Sequence, residues 1–429
     1  MVSTTRPSYR PLGFLDVFCL GINAIVGSSI YLFPGQLAAL LGPASIFAFA
    51  FTAVLLAPVA LCFAEASSRF SGHGGPALYA REAFGPHAGF AIGWLCWAAQ
   101  VVSVAAVSNG IARYLGQFDP ALSEPFMVKA VALLAIVGFG AVNYRGVSLG
   151  ARVSDGLVVI KLLPLILFGA AGLAWLEPAH FTPFAPEGLK GLGPACFLAY
   201  FAFQGFEVVP VPAGEVRVAE RQVPRALLSG LGLAAVLYMA VQAAAISAHP
   251  SLAGSERPLA EAAGALLGPW ASSLVVLAAA VSMLGFVAGS SLGGPRYLVA
   301  LAEAGEAPQS LASLHPRFKS PHWAVAASTV ISSSAAVALD FNRLVDIANV
   351  VVAAQYLSTC AAVPRLKQLA GEPVSTAMVI LPALGIGATI WLLAQAGVSE
   401  WAVAGGILAA GLALRALWRW LSGVGKIDS

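Results

Sequence analysis

Charge is what this sequence has least of. Asp, Glu, Lys and Arg make up 10% of its 429 residues, against about 25% in an ordinary soluble chain. That excludes a soluble globular protein of this size. The net charge of +3 is small and dispersed, so no basic face for nucleic acid is expected. Cysteine is scarce as well. Cys19, Cys62, Cys96, Cys196 and Cys360 all lie in apolar runs, with no CxxC pair and no His-rich spacing. They read as small buried hydrophobes, with neither a disulfide framework nor a metal site. The sequence has no Walker loop, no HExxH and no GxSxG between a strand and a helix, and no regular rows of arginine. This argues against an ATPase, a hydrolase and a voltage sensor, and no cofactor is expected. The opening MVSTTRPSYRPLGF lacks the apolar core and cleavage site of a signal peptide, so the first apolar run is expected to stay in the mature protein.

What the sequence does have is hydrocarbon. It is 59% hydrophobic, with a mean hydropathy of +0.84, which is the composition of an all-α integral membrane protein. At about 20 apolar residues per crossing, about twelve spans are expected. They centre near Gly27, Val54, Val101, Ala135, Leu165, Phe203, Val236, Leu284, Ile331, Val352, Ile386 and Ile407. The connections are short and carry the charge. Counted by alternate loops, only Arg113, Lys129, Lys190, Arg257 and Arg343 lie on the far side, and Lys161 on neither. The other basic residues, from Arg6 to Lys426, share the side of the N-terminus. Positive charge stays cytoplasmic, so both termini are expected inside a cytoplasmic (inner) membrane.

Two spans do not read as ordinary helices. The first contains GINAIVGSSIYLFPG, from Gly21 to Gly35. Gly27, Ser28 and Ser29 meet at mid-depth, Asn23 lies a turn earlier, and Pro34 with Gly35 closes the segment. Glycine forms helix poorly, and serine competes for backbone hydrogen bonds. Broken backbone at this depth is tolerated only where it is buried or lines a cavity. A helix opened there offers free N–H groups that suit a carboxylate. The sixth span reads LAYFAFQGFEVVPVPAGE. Here Gly205 lies between Gln204 and Glu207, and Pro210 and Pro212 follow. Paired interruptions in corresponding places point to a transport site built on an inverted repeat. The two spans lie five apart, the spacing of a five-plus-five repeat.

Most polar residues inside spans read as packing glue, including Ser103, Ser108, Ser282 and Ser332. Lys161 does not, because an unpaired ammonium at this depth costs roughly 3 kcal/mol or more. The choices are snorkelling to the cytoplasmic side, or an inward lysine that replaces a bound cation or exchanges a proton. The second is weighed higher. Glu207 reads either as a structural glutamate between helices or as a gate, and its place beside a break favours the gate. Phe201 and Phe206 are core bulk, or lids over a substrate. Gln100 is an amide at mid-membrane. Glu65 with Arg69, and Arg81 with Glu82, read as solvated interface charges.

These residues resemble the amino acid–polyamine–organocation transporters from Pro11 to about Trp420. GINAIVGSSIYLFPG is similar to the family's first helix. FAEASSRFSGHGGPALYAREAFGPHAGFAIGW is similar to the second-to-third segment, and NYRGVSLGARVSDGLVVIKLLPL to the approach to the fifth helix. GFEVVPVPAGEVRVAERQVPRAL is similar to the sixth helix, and GGPRYLVALAEAGEAPQSLASLHPRFKSPHWAV to the eighth and the loop after it. Each motif alone is moderately specific. All of them in the family's order are strong.

The resemblance implies a leucine-transporter-type fold with helices 1 and 6 broken. A first repeat would span residues 11–177, a second 191–368, and two extra helices 374–420. It implies an amino acid or related amine as substrate. The backbone around Gly27, Ser28 and Ser29 would take the α-carboxylate, with Ile25 and Val26 also at the substrate. Carbonyls near Phe201, Ala202, Phe203 and Gln204 would take the amino group. Gln100 would lie near the substrate side chain, Phe201 would cover the substrate, and Ser290 would also be substrate-binding. Glu207 and Tyr356 match an inner gate, and Lys161 matches a lysine that fills a sodium site in proton-coupled members. Two departures bear on substrate identity. Ser29 stands where glycine is usual, and Pro210 and Pro212 where small or hydroxyl residues are.

The reading that follows is a secondary transporter of amino acids, with proton symport as the first mechanism and amino acid or amine exchange as the second. No unpaired acid besides Glu207 is evident near the pocket, which favours a neutral side chain. The partners expected are the amino acid, protons and membrane lipid. A receptor that binds without transport is the reading from another class. It would need a soluble signalling segment, and none is read after Leu421.

Overall fold

The computed structural model describes residues 13–70, 75–146, 151–210, 216 and 218–422, the side chains of 151–159, 219 and 220 excepted. Arg6, Pro11, Pro212 and Lys426, named above, lie outside the described residues, as do the basic residues Arg10 and Arg217 and the side chain of Arg152. Regular structure among the described residues is helical. The first apolar run forms α1 (Phe14–Ile25) and α2 (Ser29–Leu41), and the second forms α3 (Ile46–Ser67). A short α4 (Gly75–Phe84) precedes α5 (Pro86–Leu115), then come α6 (Pro125–Tyr144) and α7 (Ala151–Ala174). The sixth run forms α8 (Leu192–Phe203), which ends in a 3-10 turn at Phe206–Val208. Next are α9 (Ala219–Ala248), α10 (Pro258–Leu267), α11 (Pro269–Gly293) and α12 (Pro295–Glu303). The chain closes with α13 (His322–Ala338), α14 (Phe341–Leu369), α15 (Ala377–Leu393) and α16 (Val398–Ser422).

Each expected span centre falls on one of these helices, except Gly27, which falls at a break. By length and composition alone, seven helical stretches qualify to cross a membrane. The connections are less bare than the sequence implied, since α4, α10 and α12 lie within them.

Packing is organised by span number. The α1–α2 pair meets α8, α3 meets α9, α5 meets α11, and α6 meets α13. Each of the first four spans therefore packs against the one five later. Helix α5 is the central post, with 78% of its most apolar window buried, against 11% for the peripheral α16. Outward-facing Val54, Leu134 and Val236 are exposed. Such faces are stable only against lipid or another apolar surface.

One correction concerns Pro34 and Gly35, which were expected to close the first segment. Helix α2 runs through both to Leu41. Pro34 lacks only the N–H that would reach the Ile30 carbonyl, and its own carbonyl accepts a bond from Gln242 Nε2 at 3.2 Å, which ties α2 to α9 at this point. A second correction concerns Glu65 and Arg69, read as solvated. Arg69, with a 16% exposed side chain, bonds Glu65 at 3.1 Å and Glu372 at 2.7 Å, linking α3 to the chain after α14. The Arg69 guanidinium holds the Glu372 carboxyl below the usual carboxylate range. Arg81 and Glu82 are exposed, as read.

Arg415, counted only as a cytoplasmic positive charge, is 5% exposed and pins α16 in place. Its Nε and Nη2 bond the Glu306 carboxylate at 2.6 and 3.0 Å, and its guanidinium lies 5.0 Å over the Phe90 ring. One turn away in space, Trp94 Nε1 donates to the Ile407 carbonyl at 2.8 Å. Removing one partner of a buried pair strands the other. Arg415→Ala is therefore expected to cost about 3 kcal/mol, seen as a lower unfolding midpoint of the purified protein. An unchanged midpoint would show that α16 is held by its apolar contacts alone.

Candidate functional site

The first break opens where the sequence places glycine beside two serines. Helix α1 stops at Ile25, and Val26 leaves the helical region at φ −79°, ψ 89°. Gly27 and Ser28 cross the gap, and α2 starts at Ser29. The Ser28 carbonyl accepts from Tyr31 and Leu32 N–H at 3.0 and 3.2 Å. The N–H groups before these have no acceptor within the helix. Ser28 Oγ is buried and has no hydrogen-bond partner among the described residues.

The second break is set by Gly205. Helix α8 ends at Phe203, Gln204 is extended, and Gly205 takes φ +116°, a region that L-residues avoid. A Cβ on Gly205 would lie 2.5 Å from the carbonyl carbon and oxygen of Ala24, and 2.8 Å from the Ile25 nitrogen. The two broken segments thus touch backbone to backbone. Immediately beyond, Glu207 Oε2 accepts from Gly205 N–H at 2.8 Å and from Tyr356 O–H at 2.9 Å. The Tyr356 ring packs 5.1 Å from Phe206 and 5.6 Å from Phe63, which makes an aromatic plug. Another aromatic layer lies at Phe201, 6.0 Å from Phe33, itself 6.0 Å from Phe341.

Both C-terminal helix stubs expose carbonyls, and other helices supply the donors. Lys161 Nζ, from α7, bonds the Asn23 carbonyl at 3.1 Å, Asn23 Oδ1 at 2.7 Å and the Val26 carbonyl at 3.1 Å. The side chain is fully buried, so the snorkelling alternative fails. The ammonium sits at the negative end of α1. Ser282, from α11, approaches the Val26 and Gly27 carbonyls at 3.4 and 3.2 Å. Tyr238, from α9, places its hydroxyl 3.0 Å from both the Ile25 and the Ala202 carbonyls. Gln204 Nε2 donates to Asn349 Oδ1 at 2.6 Å, and Asn349 Nδ2 donates to the Phe197 carbonyl at 2.7 Å.

A cavity of about 30 Å³ lies between the two breaks. Of the residues expected at a site, Ile25, Gly27, Ser28, Ser29, Gln100, Phe201, Gln204 and Glu207 line it. Tyr356 stands behind the lining, bonded to Glu207, and Lys161 is bonded to Asn23 and Val26, which flank the lining residues Ala24 and Ile25. Val26 and Ala202 contribute carbonyls that other residues already occupy. Phe203 turns away, with its ring 5.4 Å from Tyr238 and 6.3 Å from Phe49. Ser290 lines a neighbouring cavity that shares Gln100. The lining also includes Ala24, Ala99, Ser103, Val107, Gly205, Phe286 and Val352. Ser103 and Ser282, read as glue, are thus at the site, whereas Ser332 does join helices, through the Val101 carbonyl at 3.2 Å. Ser103 was within reach of the sequence, since it lies three residues after Gln100 on the same helix face. Tyr238 and Asn349 gave no signal, because an aromatic or an amide in an apolar run looks the same whether or not it meets a broken helix.

An all-helical multi-pass membrane protein with two broken helices meeting at a buried cavity has the architecture of a secondary transporter. Residues 12–394 match the family model described as amino acid permease, and the chain belongs to that family. It is a transporter, not an enzyme. It is similar to a branched-chain amino acid permease of Bacillus subtilis, 26% identical over 400 residues, which are 87% of this chain and 86% of the relative. It is also similar to a serine/threonine exchanger of Bacillus subtilis, 26% identical over 328 residues covering 74% of each. A cadaverine/lysine antiporter of Escherichia coli is 30% identical over 267 residues, 60% of this chain and 59% of the relative.

Proposed function

We propose that this protein carries neutral amino acids across the cytoplasmic membrane by alternating access, driven by protons. On this reading twelve helices cross, both termini face the cytoplasm, and spans one to five and six to ten form an inverted repeat. Two extra helices follow. The pairing of each of the first four spans with the one five later supports the repeat. The basic residues concentrated on one side support the orientation.

The observation that carries the reading is the pair of breaks around one cavity, with Lys161 on the first. Free N–H groups at Gly27, Ser28 and Ser29, with the unpartnered Ser28 hydroxyl, receive the substrate carboxylate. Carbonyls at the end of α8 receive its amino group. Glu207 is the cavity's acid, and its Oε2 is already bonded to Gly205 and Tyr356. A cationic side chain would find no free counter-charge, which favours a neutral one. At about 30 Å³ the cavity holds about two waters, so loading must widen it. The Tyr356–Phe206–Phe63 plug and the Phe201–Phe33–Phe341 layer are the parts that move, the first toward the cytoplasm and the second toward the outside.

Proton coupling rests on Lys161. Its partners are neutral oxygens, so gaining or losing a proton changes the charge of the site. The test uses purified protein in liposomes, empty or preloaded with mixed amino acids, with and without an inward proton gradient. Gradient-dependent accumulation into empty vesicles is expected. Uptake only into preloaded vesicles, indifferent to the gradient, would establish exchange instead. Two relatives, an exchanger and an antiporter, favour that second reading. Binding without transport in either case would leave a receptor.

The carboxylate cradle has its own test. Ser28→Leu places a branched side chain where the buried hydroxyl faces the lining, and is expected to weaken amino acid binding at least about a hundredfold. Binding that survives in a scintillation proximity assay would move the carboxylate site elsewhere.

A further inference from the structure

Two side-chain amides run in series from the cavity to α8, and the far end fixes their polarity. The Phe197 carbonyl can only accept a hydrogen bond, so Asn349 turns Nδ2 toward it, at 2.7 Å. Asn349 Oδ1 is then the atom left for Gln204, which offers its Nε2 at 2.6 Å. Gln204 Oε1 therefore points away from the pair. Among the described residues no hydrogen bond reaches that oxygen. Nor is it sealed in, as the amide oxygens of Gln222 and Gln242 are. Gln204 is only 8% exposed and lines the cavity, so the open surface of Oε1 belongs to the cavity. Asn349 is fully buried, and it cannot release the amide by turning to water.

Direction separates this oxygen from the helix ends. Asn349 lies one turn before the lining residue Val352 on α14, so the Gln204 amide stands on the α14 side. The Ile25 and Ala202 carbonyls face the other way, toward Tyr238 on α9. A bound amino acid with its ammonium at the helix ends sets its side chain toward Oε1. The wall there is small or apolar, with Ala99, Ser103 and Val107 from α5 beside Val352. An aliphatic side chain would leave Oε1 desolvated and unpaired once the cavity closes. A hydroxyl supplies the missing hydrogen, and it is the smallest donor for a cavity of about 30 Å³.

We infer that Gln204 Oε1 accepts a hydrogen bond from a hydroxyl on the substrate's side chain. The neutral amino acids this protein prefers are then the hydroxyl-bearing ones, serine and threonine. Asn349 is the positioning residue that turns Oε1 into the cavity. This inference rests on the reading of the site as an amino acid site, and adds a side-chain class to it.

The experiment measures full-length protein in liposomes with two probe pairs, L-serine against L-alanine and L-threonine against L-2-aminobutyrate. The second member of each pair is the first with hydrogen in place of the hydroxyl. Vesicles are preloaded with the same amino acid and given an inward proton gradient, so that symport and exchange both register. Wild-type kcat/KM is expected to favour the hydroxyl member of each pair at least about tenfold. Gln204→Met keeps the length but loses the acceptor, and is expected to lower both ratios about tenfold, whatever it does to the absolute rates. A residue that only joined α8 to α14 would lower all four rates alike. Ratios that survive the substitution, or no preference in the wild type, would overturn the inference. If Gln204→Met does not reconstitute, Asn349→Leu decides the matter, because it keeps Gln204 but frees its amide to turn. A smaller fall in both ratios is expected there, and unchanged ratios count against the inference. Failure of the underlying reading looks different. If the wild-type protein takes up none of the four, the amino acid site itself is wrong.

Discussion

Lys161→Ala is expected to abolish gradient-driven accumulation of amino acids in liposomes, by at least about a hundredfold, while the protein still elutes as a folded species. The ammonium satisfies the Asn23 carbonyl, Asn23 Oδ1 and the Val26 carbonyl within 3.1 Å. Two of those oxygens belong to the unwinding end of α1, and an orphaned buried acceptor costs about 1–3 kcal/mol. The substitution therefore both removes the proposed proton carrier and slackens the first break. These effects separate in a second variant. Lys161→Arg keeps donors and stays charged throughout, so it should bind substrate and lose its response to the gradient. Lys161→Met keeps bulk but can neither donate nor change charge, so it should suffer both losses, as alanine does. Full uptake with an unchanged proton response in the alanine variant would remove Lys161 from the mechanism and return it to a structural role at the end of α1.

The case for Lys161 illustrates how much the sequence could reveal. A lone lysine in an apolar run is an energetic anomaly at any position, so it could be singled out without knowing its partners. The same holds for Gly27 with Ser28, where several poor helix formers coincide, and for Gly205 beside Glu207. What could not be read was the second half of each interaction. Pro34 looks like a terminator, yet α2 passes through it, losing one donor while Gln242 from α9 ties on at the Pro34 carbonyl. Ser282 looks like glue between helices, and it is glue of a kind, but the surface it joins is the open end of α1. Phe203 lies within the interrupted stretch and still points to the core, since the last turn of α8 is regular and only Gln204 and Gly205 depart from it. Local anomalies are visible in one dimension. The donors that make them tolerable come from helices far away in the chain, and composition does not mark them.

The two breaks depend on each other, and Gly205 is where the dependence is strongest. Gly205→Ala is expected to reduce transport to below about 1% of wild type and to lower the unfolding midpoint, because two penalties coincide. The φ of +116° is costly for any residue with a Cβ, by about 1–3 kcal/mol. The new methyl would also lie 2.5 Å from the Ala24 carbonyl, a backbone group that cannot swing aside as a side chain can. Relief would require α1 to shift away from the sixth span. But α1 is tethered on its other faces by Lys161 and Tyr238, so the strain spreads to the carbonyls that these two side chains satisfy. Gly27→Ala is the informative contrast. The nearest atom to a Cβ there is Phe286 Cδ2 at 3.7 Å, an ordinary contact, and its cost is limited to the about 1 kcal/mol by which alanine favours helix over a break. Gly27→Ala should therefore fold normally and transport with reduced efficiency. Side-by-side unfolding curves and uptake rates for the two variants decide the point. If alanine is tolerated equally at 205 and at 27, the close backbone approach is not what holds the broken helices in register, and the coupling between them must run through their side-chain donors alone.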